Sequence, residues 1–569
     1  MMNNPPLLEI KNLTVTYPHG SQGRDELKAL DQIFLKLSEG QITGIVGESG
    51  AGKSTIGKAV LGLLDSPARL VSGEIRFLGN SLIGLSEAQF ESLRGNQIGY
   101  IYQNPMTALN PVLTIGEQVI EAIEANTDMK GQSAQEYAIQ LLERADVSFA
   151  KDRLQKYPHQ LSGGLCQRIV FAIAIAAKPK LIIADEPTTA LDVTVQKSVL
   201  QTLIKLSKEE RIAIILITHD IGVISETCDY VYVLRHGKHV EQNATNNVLQ
   251  KPKQDYTKSL MASVPLIDKR LHRFPLNEEN SFDETSTGLN YLQEKQTIQD
   301  SSNKPLLEVR NLSKIFVTPS SLLKSKQLFT AVKGVSFNVD RGETVGIVGE
   351  SGSGKTTIGR MILGLEEITD GSVIYRGKDL KELVDAAEKR AHCLSMQCIF
   401  QDPYSSLNPR MTAGENITYG LRVHKMISPG KAKSLAQDLM ALVGLPSKDA
   451  EKLPHAFSGG ERQRIGIARA LSYRPDFIFC DEPTSALDGS VQANLLNLLK
   501  DLQEKFSLTL LFVSHDLAVI RQMCDKVIVM KDGEALEHGS NKNIFESPQH
   551  NYTQSLLDSM PKYNGMVLN

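Results

Sequence analysis

One stretch with the residue types of a phosphate-binding loop occurs twice in this sequence. Gly47–Thr55 reads GESGAGKST and Gly349–Thr357 reads GESGSGKTT, and both fit the pattern GxxxxGK[ST]. Each copy follows an apolar β-prone run and precedes a helix-prone run. A strand, a glycine-rich turn and a helix in that order point backbone N–H groups and a helix N-terminus at one spot, which favours phosphate. The sequence therefore predicts two sites for a nucleoside triphosphate.

The residue types within each loop have separate tasks. Glycine lets the backbone take positive φ and approach the ligand closely, the lysine reaches the β- and γ-phosphates, and the hydroxyl after it is placed on Mg²⁺. The predicted nucleotide-binding residues are Gly47, Ser49, Gly50, Gly52, Lys53, Ser54 and Thr55 in the first loop, and Gly349, Ser351, Gly352, Gly354, Lys355, Thr356 and Thr357 in the second. A single match could be an ordinary glycine-rich turn, but two matches in one context argue against that interpretation.

Two carboxylates end a buried strand downstream of each loop. LIIADE ends in Asp185 and Glu186, and FIFCDE ends in Asp481 and Glu482. A buried strand beside the phosphate loop can deliver the Asp to the Mg²⁺ shell and the Glu to a water in line with the γ-phosphate. We therefore predict Asp185 and Asp481 as metal-site residues and Glu186 and Glu482 as catalytic residues.

The elements that position these residues form a tandem repeat. Every landmark of the first half returns after about 300 residues, a period that indicates domain duplication, not a solenoid. Within each copy β-prone and helix-prone runs alternate, which predicts an α/β fold with a mostly parallel sheet core and a separate α-helical subdomain. We predict one domain over residues 5–265, a flexible or loosely packed linker over 266–304, and the second domain over 305–563.

Composition excludes several classes of protein. The 569 residues are 41% hydrophobic, which is enough for well-packed cores and excludes wholesale disorder. The net charge is −3, so no bulk electrostatic attraction to nucleic acid is expected. The six cysteines show neither a CxxC pair nor zinc-finger spacing, which is typical of reduced thiols in a cytosolic protein. The sequence also shows neither a signal peptide nor a transmembrane run, so if the protein serves transport, the pore is expected to belong to another polypeptide.

Further motifs carry a family resemblance. LSGG at Leu161–Gly164 and FSGG at Phe457–Gly460 resemble the signature of the ABC ATPases, and the other landmarks of that family follow in order. Gln103 (IYQNP) and Gln401 (IFQDP) match its Q-loop, and His219 (LITHD) and His515 (FVSHD) match its switch histidine. This resemblance, which covers about nine-tenths of the chain, implies tandem P-loop ATPase domains that each have an N-terminal antiparallel β part.

The resemblance assigns further roles. Both Q-loop glutamines are expected in catalysis and at the metal, and both histidines in catalysis. Nucleotide contacts are implied for the signature residues Ser162, Gly163, Gly164, Ser458, Gly459 and Gly460, for the D-loop residues Asp192 and Asp488, and for Tyr17 and Phe316, which match the family's adenine-stacking aromatics. The family further implies that two domains sandwich two ATP molecules head to tail, so that each phosphate loop faces the other domain's signature. A lone histidine is more often structural, and a lone aromatic in a strand is more often packing.

One position departs from the family pattern. The first signature reads LSGGLCQR and the second FSGGERQR, whereas the family most often has Gln or Glu after the second glycine. Leu165 therefore replaces a polar side chain, and the composite site that uses Lys355 is expected to be the weaker of two competent sites.

Three details resemble the ATPase subunits of bacterial dipeptide, oligopeptide and nickel importers. The Q-loops extend to QNPMTALNP and QDPYSSLNP, the signatures continue into QR, and tails like PxHPYTxxLLxSxP follow each core at Lys251–Pro265 and Ser547–Pro561. This implies ATP and Mg²⁺ as cofactors, two transmembrane permease subunits and a solute-binding protein as partners, and a peripheral location on the cytoplasmic side of the cell membrane. Some members carry an iron–sulfur centre in the tail region, but HRFPLNEEN lacks cysteine, so no cluster is expected.

Two alternatives stay open at this point. A soluble tandem ATPase acting on ribosomes or nucleic acid could share the duplication, although the near-neutral charge and the importer-like tails argue against it. A switch that binds nucleotide without hydrolysis is disfavoured by the presence of both Glu186 and Glu482 and both histidines.

Overall fold

The computed structural model describes residues 5–19, 25–188, 193–275, 291–292, 304–318, 327–485 and 487–560. These residues form two compact units. The first runs to Ala262, and the second runs from Ser263 to Met560.

The first unit contains two sheets. Its strands are β1 (Leu8–His19), β2 (Asp25–Leu37), β3 (Ile42–Val46), β4 (Arg69–Phe77), β5 (Asn80–Ser81), β6 (Ile98–Ile101), β7 (Leu181–Asp185), β8 (Ala213–Ile217), β9 (Tyr230–Arg235) and β10 (Lys238–Ala244). A four-stranded antiparallel sheet has the order β2-β1-β4-β5, and a six-stranded sheet has the order β10-β9-β3-β8-β7-β6. Neighbours in the larger sheet pair in parallel except β10 with β9.

The helices of the first unit cover the larger sheet and build a separate helical part. They are α1 (Lys53–Val60), α2 (Glu87–Leu93), α3 (Pro105–Ala108), α4 (Ile115–Asn126), α5 (Gln132–Arg144), α6 (Ala150–Arg153), α7 (Gly163–Ala174), α8 (Val193–Glu210), α9 (Ile221–Thr227), α10 (Thr245–Gln250) and α11 (Asp255–Ala262), with a 3-10 turn at Pro158–Gln160. Helices α4 to α7 share one apolar core that continues beneath the sheet.

The second unit repeats this arrangement. Its strands are β11 (Leu307–Thr318), β12 (Gln327–Val339), β13 (Thr344–Gly349), β14 (Asp370–Tyr375), β15 (Lys378–Asp379), β16 (Met396–Ile399), β17 (Phe477–Asp481), β18 (Thr509–Ser514), β19 (Lys526–Lys531) and β20 (Glu534–Ser540). The sheet orders are β12-β11-β14-β15 and β16-β17-β18-β13-β19-β20. The landmarks of the two halves therefore occupy equivalent places in the two units.

The helices of the second unit follow the same sequence order. They are α12 (Lys355–Ile362), α13 (Ala386–Ser395), α14 (Pro403–Ser406), α15 (Ala413–Val423), α16 (Pro429–Leu442), α17 (Gly459–Leu471), α18 (Gly489–Phe506), α19 (Leu517–Met523), α20 (Asn541–Glu546) and α21 (Asn551–Ser559), with 3-10 turns at Leu380–Glu382, Ser447–Glu451 and Pro454–Ala456. Among the described residues, none of the helices is long and apolar enough to cross a membrane.

Burial explains why the parallel strands read as unbroken apolar runs. All residues of β3, β7 and β8 are buried, as are all residues of β13, β17 and β18. Strands covered by other elements on both faces need apolar side chains at every position. The predicted fold class, tandem α/β domains with parallel cores, antiparallel β parts and helical subdomains, is confirmed.

Residues 266–274, named here the clamp segment, pack against the second unit. Phe274 is 4% exposed, and its backbone N–H and carbonyl exchange two 3.0 Å hydrogen bonds with the Asn497 side-chain amide on α18. Beside it, Arg273 Nε donates to Asp501 Oδ1 at 2.9 Å and Arg273 Nη2 donates to Glu504 Oε2 at 2.7 Å. The Asn497 amide satisfies both backbone polar groups of Phe274, as a neighbouring strand would, and so fixes the position of this segment.

A second set of contacts ties the clamp segment to α19. Gln522 is fully buried, accepts a 2.6 Å hydrogen bond from Leu271 N and donates to the carbonyls of Leu266 and Lys269 at 2.6 and 2.7 Å. Arg270 pairs with Asp525 at 3.1 Å. The sequence predicts a flexible or loosely packed linker over residues 266–304. Within it, polar side chains far along the chain satisfy the backbone of residues 266–274.

Candidate functional site

The first phosphate-binding loop joins β3 to α1 as predicted. Gly52 has φ 92°, and a Cβ at this position would lie 2.4 Å from the carbonyl oxygen of Ala29, so only glycine fits. Lys53 begins α1, is buried, and donates from Nζ to the carbonyls of Gly47 and Glu48 at 2.7 and 3.0 Å. The loop thus holds its cation and its helix N-terminus at one place, where both attract an anion.

The second loop has the same geometry between β13 and α12. Gly354 has φ 98°, and its Cβ would lie 2.4 Å from the Ala331 carbonyl oxygen. Lys355 donates to the carbonyls of Gly349 and Glu350, both at 2.8 Å. The two loops are therefore equally formed.

Each loop hydroxyl meets the aspartate predicted to share its metal ion. Ser54 Oγ donates to Asp185 Oδ1, and Thr356 Oγ1 donates to Asp481 Oδ1, both at 2.9 Å. Burial raises the pKa of both aspartates, although hydrogen bonds and the loop lysines oppose it. A hydroxyl oxygen beside a carboxylate is a donor set that suits Mg²⁺.

In the first unit the glutamate, the Q-loop glutamine and the switch histidine form one cluster. Gln103 Nε2 donates to Glu186 Oε2 at 2.6 Å, and His219 Nδ1 lies 3.1 Å from Glu186 Oε1. The three residues come from the ends of β6, β7 and β8, which are adjacent in the sheet. The carboxyl ends of parallel strands meet at one edge, so the cluster follows from the topology.

The second unit repeats the cluster. Gln401 Nε2 donates to Glu482 Oε2 at 2.9 Å, and His515 Nδ1 lies 3.1 Å from the same oxygen. Burial alone would raise the pKa of Glu482 and lower that of His515, but the contact between them outweighs burial. The pKa of Glu482 is therefore lowered and the pKa of His515 is raised.

Both glutamates have a backbone conformation that is uncommon for this residue type. Glu186 has φ 47° and Glu482 has φ 45°. Their N–H groups donate to the carbonyls of Ile217 and Val513 on the neighbouring strands, at 2.8 and 3.0 Å. A non-glycine residue in the left-handed region costs on the order of 1 kcal/mol, and such residues cluster at functional sites.

The contact between His515 and Glu482 makes a pH-dependent contribution to stability. His515→Asn is expected to lower the free energy of unfolding of the second unit most between the pKa values of Glu482 and His515. The loss fades as pH rises through the raised pKa of His515, above 6.5, and as pH falls through the lowered pKa of Glu482, below 4.5. Urea unfolding at several pH values, with exposed His455→Asn as control, measures it. A pH-independent difference would contradict the pairing.

The two signatures differ in how their helices begin. Ser458 caps α17, donating from N and Oγ to Glu461 Oε2 at 2.7 and 2.8 Å and accepting from Glu461 N at 3.4 Å. Ser162 caps α7 only by accepting from Leu165 N at 3.4 Å. The second signature therefore has a reciprocal capping box, and the first lacks the polar side chain that completes one.

The second glycine of each signature allows two helices to approach. A Cβ on Gly164 would lie 2.4 Å from a methyl carbon of Val195 on α8, and one on Gly460 would lie 2.3 Å from a methyl carbon of Val491 on α18. The signature thus packs on the helix that follows the D-loop of its own unit.

Four other predicted residues have differing outcomes. Asp192 lies outside the described residues, whereas Asp488 caps α18 and its carbonyl accepts from Gln492 N at 2.7 Å. Tyr17 is half-buried against the first core, and Phe316 is exposed on β11 with Lys314 Nζ 4.9 Å from its ring centre. Adenine stacking by Tyr17 and Phe316 stays a prediction.

Both halves of the chain match a known protein family. Residues 30–189 and 332–485, more than half of the chain, match the family described as ABC transporter. The chain belongs to the ABC transporter family. Both of its nucleotide-binding units are ABC ATPase domains, and the chain is an ATPase.

Two segments outside the ATPase cores match a second family. Residues 240–291 and 536–566 match the family described as the C-terminal region of oligopeptide/dipeptide transporters. The chain is 40% identical to the glutathione import ATP-binding protein GsiA of Escherichia coli O157:H7, over 98% of this chain and 89% of the relative. It is also 40% identical to the protein of that name in Salmonella typhimurium, over 98% and 90%. The dimeric structure of a bacterial ABC transporter cassette is 29% identical over 42% of this chain and 98% of that one, with a TM-score of 0.38.

One residue of the first ABC site was missed by sequence reasoning. Tyr100 OH donates to Asp185 Oδ2 at 2.8 Å, so both oxygens of this carboxylate are held. Burial, followed by the nearby Asp185 charge, raises the pKa of Tyr100, which keeps its proton as a donor. At the equivalent register the second unit has Cys398, whose pKa burial raises to about 12.

The first importer-like tail contacts the site as well. Tyr256 on α11 accepts a 3.4 Å hydrogen bond at its hydroxyl from Glu48 N in the phosphate loop, and Arg235 lies over its ring at 4.7 Å. Glu241 fixes the tail by accepting from the N–H groups of Lys253 and Gln254 at 2.9 and 3.1 Å. The resemblance of this tail to PxHPYTxxLLxSxP was the only sequence signal for Tyr256, and it did not indicate which element the tyrosine contacts.

The second tail is fixed in the same way. Glu537 accepts from the N–H groups of Gln549 and His550 at 2.8 and 3.2 Å. Lys531 lies 4.7 Å from the ring centre of Tyr552. A carboxylate that accepts two consecutive backbone N–H groups explains why each tail begins where it does.

Proposed function

We propose that this chain is the ATPase subunit of an importer for peptides or peptide-like solutes, with glutathione a candidate solute. It would act on the cytoplasmic side of the cell membrane, bound to two transmembrane permease subunits that receive the solute from a binding protein. The observation that carries this proposal is the oligopeptide/dipeptide transporter tail that follows each ATPase core, anchored by Glu241 and Glu537. The names of the relatives support the same solute class.

Each phosphate loop is proposed to hold one ATP with its Mg²⁺. Lys53 and Lys355 would bind the phosphates from positions already fixed by loop carbonyls. Ser54 with Asp185, and Thr356 with Asp481, offer the oxygen donors that Mg²⁺ requires, and a bound Mg²⁺ would neutralise developing phosphate charge. No group of three or more His, Cys, Asp or Glu side chains that could hold a metal ion occurs among the described residues.

Hydrolysis at each site is proposed to use the carboxylate cluster. The Glu carboxylate would take a proton from the attacking water, and the strand-end backbone fixes where that carboxylate points. His219 and His515 would hold the carboxylate and sense the γ-phosphate. Gln103 and Gln401, each hydrogen-bonded to the same carboxylate, would connect the site to the helical subdomain.

The ATP sites are proposed to be completed between the two units. The first loop would face Ser458, Gly459 and Gly460, and the second would face Ser162, Gly163 and Gly164, so that ATP closes the pair and hydrolysis opens it. Asp488 and Asp192 would adjoin the same contacts. The γ-phosphate would thus switch the pair between two conformations.

Leu165→Glu tests the inequality between the two sites. With Glu186→Gln present to silence one site, Leu165→Glu is expected to raise the remaining ATPase by about fivefold, because a completed capping box contributes about 1 kcal/mol to the helix start. Steady-state phosphate release by the full chain measures the change.

The matched converse is Glu461→Leu in the Glu482→Gln background. It removes the capping box from the other signature and should lower the remaining activity by a similar factor. If Leu165→Glu leaves the rate unchanged or lowers it, the incomplete cap is not the source of asymmetry.

Purification of the tagged chain from detergent-solubilised membranes of its host tests the proposed function. Recovery of two polytopic membrane proteins identified by mass spectrometry is the expected result, and their identity narrows the solute. Recovery of ribosomes or nucleic acid without a membrane protein would overturn the importer proposal and leave the ATPase activity standing.

A further inference from the structure

Helix α4 is connected to the first ATP site through the segment that follows Gln103. Asn110 N donates to Gln118 Oε1 at 2.7 Å, and Gln118 Nε2 donates back to the Asn110 carbonyl at 3.0 Å. In the second unit Asn408 and Asn416 make the equivalent pair on α15, at 2.8 and 3.1 Å. A partner that binds along α4 or α15 therefore contacts a helix that is hydrogen-bonded to the segment after Gln103 or Gln401.

An acidic groove runs along α4. Its volume is about 670 Å³, and its charged lining residues are Glu117, Glu121 and Glu124, which lie at i, i+4 and i+7 on one helix face. Hydrogen bonds from the backbone N–H and the hydroxyl of Thr114 to the carboxylate lower the pKa of Glu117. Nearby Lys130 Nζ donates to the backbone carbonyl of Glu124, and the Glu124 carboxylate accepts from Gly131 N at 2.9 Å. The groove thus presents three carboxylates, two of which also accept hydrogen bonds from nearby backbone N–H groups.

The equivalent groove along α15 has different chemistry. Counting from the capping residues Thr114 and Thr412, Tyr419 replaces Glu121 and Arg422 replaces Glu124. The groove volume is about 710 Å³, and its charged lining residues are Glu415, Arg422 and Lys425, with Arg422 Nη1 3.8 Å from Glu415 Oε1. Its lining also includes the apolar side chains Val423 and Met426, which are 56% and 53% exposed. The second groove is therefore more apolar than the first, and it carries two cations and one carboxylate.

We infer that the two grooves bind cytoplasmic segments of two different permease subunits: a basic segment in the first groove, and an apolar, acid-bearing segment in the second. This inference rests on the proposed function. Like charges that face each other across an interface suppress binding of the wrong partner, so a segment that suits one groove is rejected by the other. The chain therefore fixes which permease subunit each unit serves.

General features of membrane proteins support the first assignment. Cytoplasmic loops carry an excess of Lys and Arg, so an acidic groove suits a typical loop. Glu117 to Glu124 spans about 10 Å of helix, which matches a partner helix of about two turns with cations on one face. The second groove needs a less typical loop, in which flexible Met and Tyr side chains contact apolar residues.

Charge reversal in the full chain tests the inference. Glu121→Lys is expected to lower recovery of one co-purifying permease subunit by about tenfold and to leave the other in place. Val423→Glu is expected to release the other subunit instead. Glu143→Lys on the exposed side of α5 and Val384→Glu, at an exposed site before α13, are the matched controls. The ATPase of the isolated chain should not change.

Several results would overturn the inference. Loss of both subunits from either variant, or of neither, would show that the grooves do not discriminate. A subunit lost through Glu121→Lys must regain binding when a basic residue of its own cytoplasmic segment is changed to Glu, and failure of that rescue also contradicts the assignment. If the unaltered chain recovers no polytopic membrane protein, the importer proposal itself fails, and the inference fails with it.

Discussion

Glu186→Gln is expected to remove more of the chain's ATP turnover than Glu482→Gln. Each change deletes the proposed general base of one site, which lowers the rate of that site by about 10²- to 10⁴-fold. The site of Glu186 uses Lys53 and is proposed to be completed by the signature with the full capping box. It therefore carries the larger share of activity, and its loss costs more.

Steady-state phosphate release and single-turnover hydrolysis by the full chain separate the two contributions. Glu143→Gln, an exposed glutamate on α5, is the matched control and should leave both rates unchanged. Equal losses from Glu186→Gln and Glu482→Gln would remove the asymmetry, whereas full activity in either variant would remove the assigned base.

Phe274→Ala is expected to destabilise the second unit by about 3 kcal/mol. The ring is almost fully buried against α18, and truncation of a buried aromatic leaves a cavity as well as losing transfer free energy. The ion pairs of Arg273 beside it are partly exposed and contribute only about 0.5 kcal/mol each, so the phenylalanine dominates the clamp segment.

Urea unfolding of the full chain measures this effect through the transition of the second unit. His272→Ala, two positions before the buried ring, is the control, because that side chain is 84% exposed and its loss should change stability by less than about 0.5 kcal/mol. A change below about 1 kcal/mol for Phe274→Ala would mean that the segment detaches in solution.

Much of the site could be predicted because its residues lie at the carboxyl ends of parallel strands. Asp185 follows an apolar run that had to be buried, and Ser54 follows a loop that had to face the same sheet edge, so their contact was implied by topology. The apolar residue at position 165 was also visible in the sequence. In the structure, Leu165 leaves the capping box of α7 incomplete.

Other contacts had no local signal. Tyr100 lies in an apolar β-prone run and is indistinguishable there from a core residue, yet its hydroxyl reaches an aspartate 85 positions later. Tyr256 meets Glu48 across 208 positions, and Phe274 meets Asn497 across 223. Periodicity describes which face of an element is buried, but it does not identify which distant polar group completes a hydrogen bond.

The clamp segment also determines where the chain can be divided into two fragments that keep their packing. A chain cut just before Lys304 would leave Phe274 on the fragment that lacks α18, and its buried ring would then face solvent. A cut before Ser263 keeps the segment with the helices that bind it, so each fragment retains its own packing. A natural fission of this chain into two subunits is therefore easier at the end of α11 than at the end of the predicted linker.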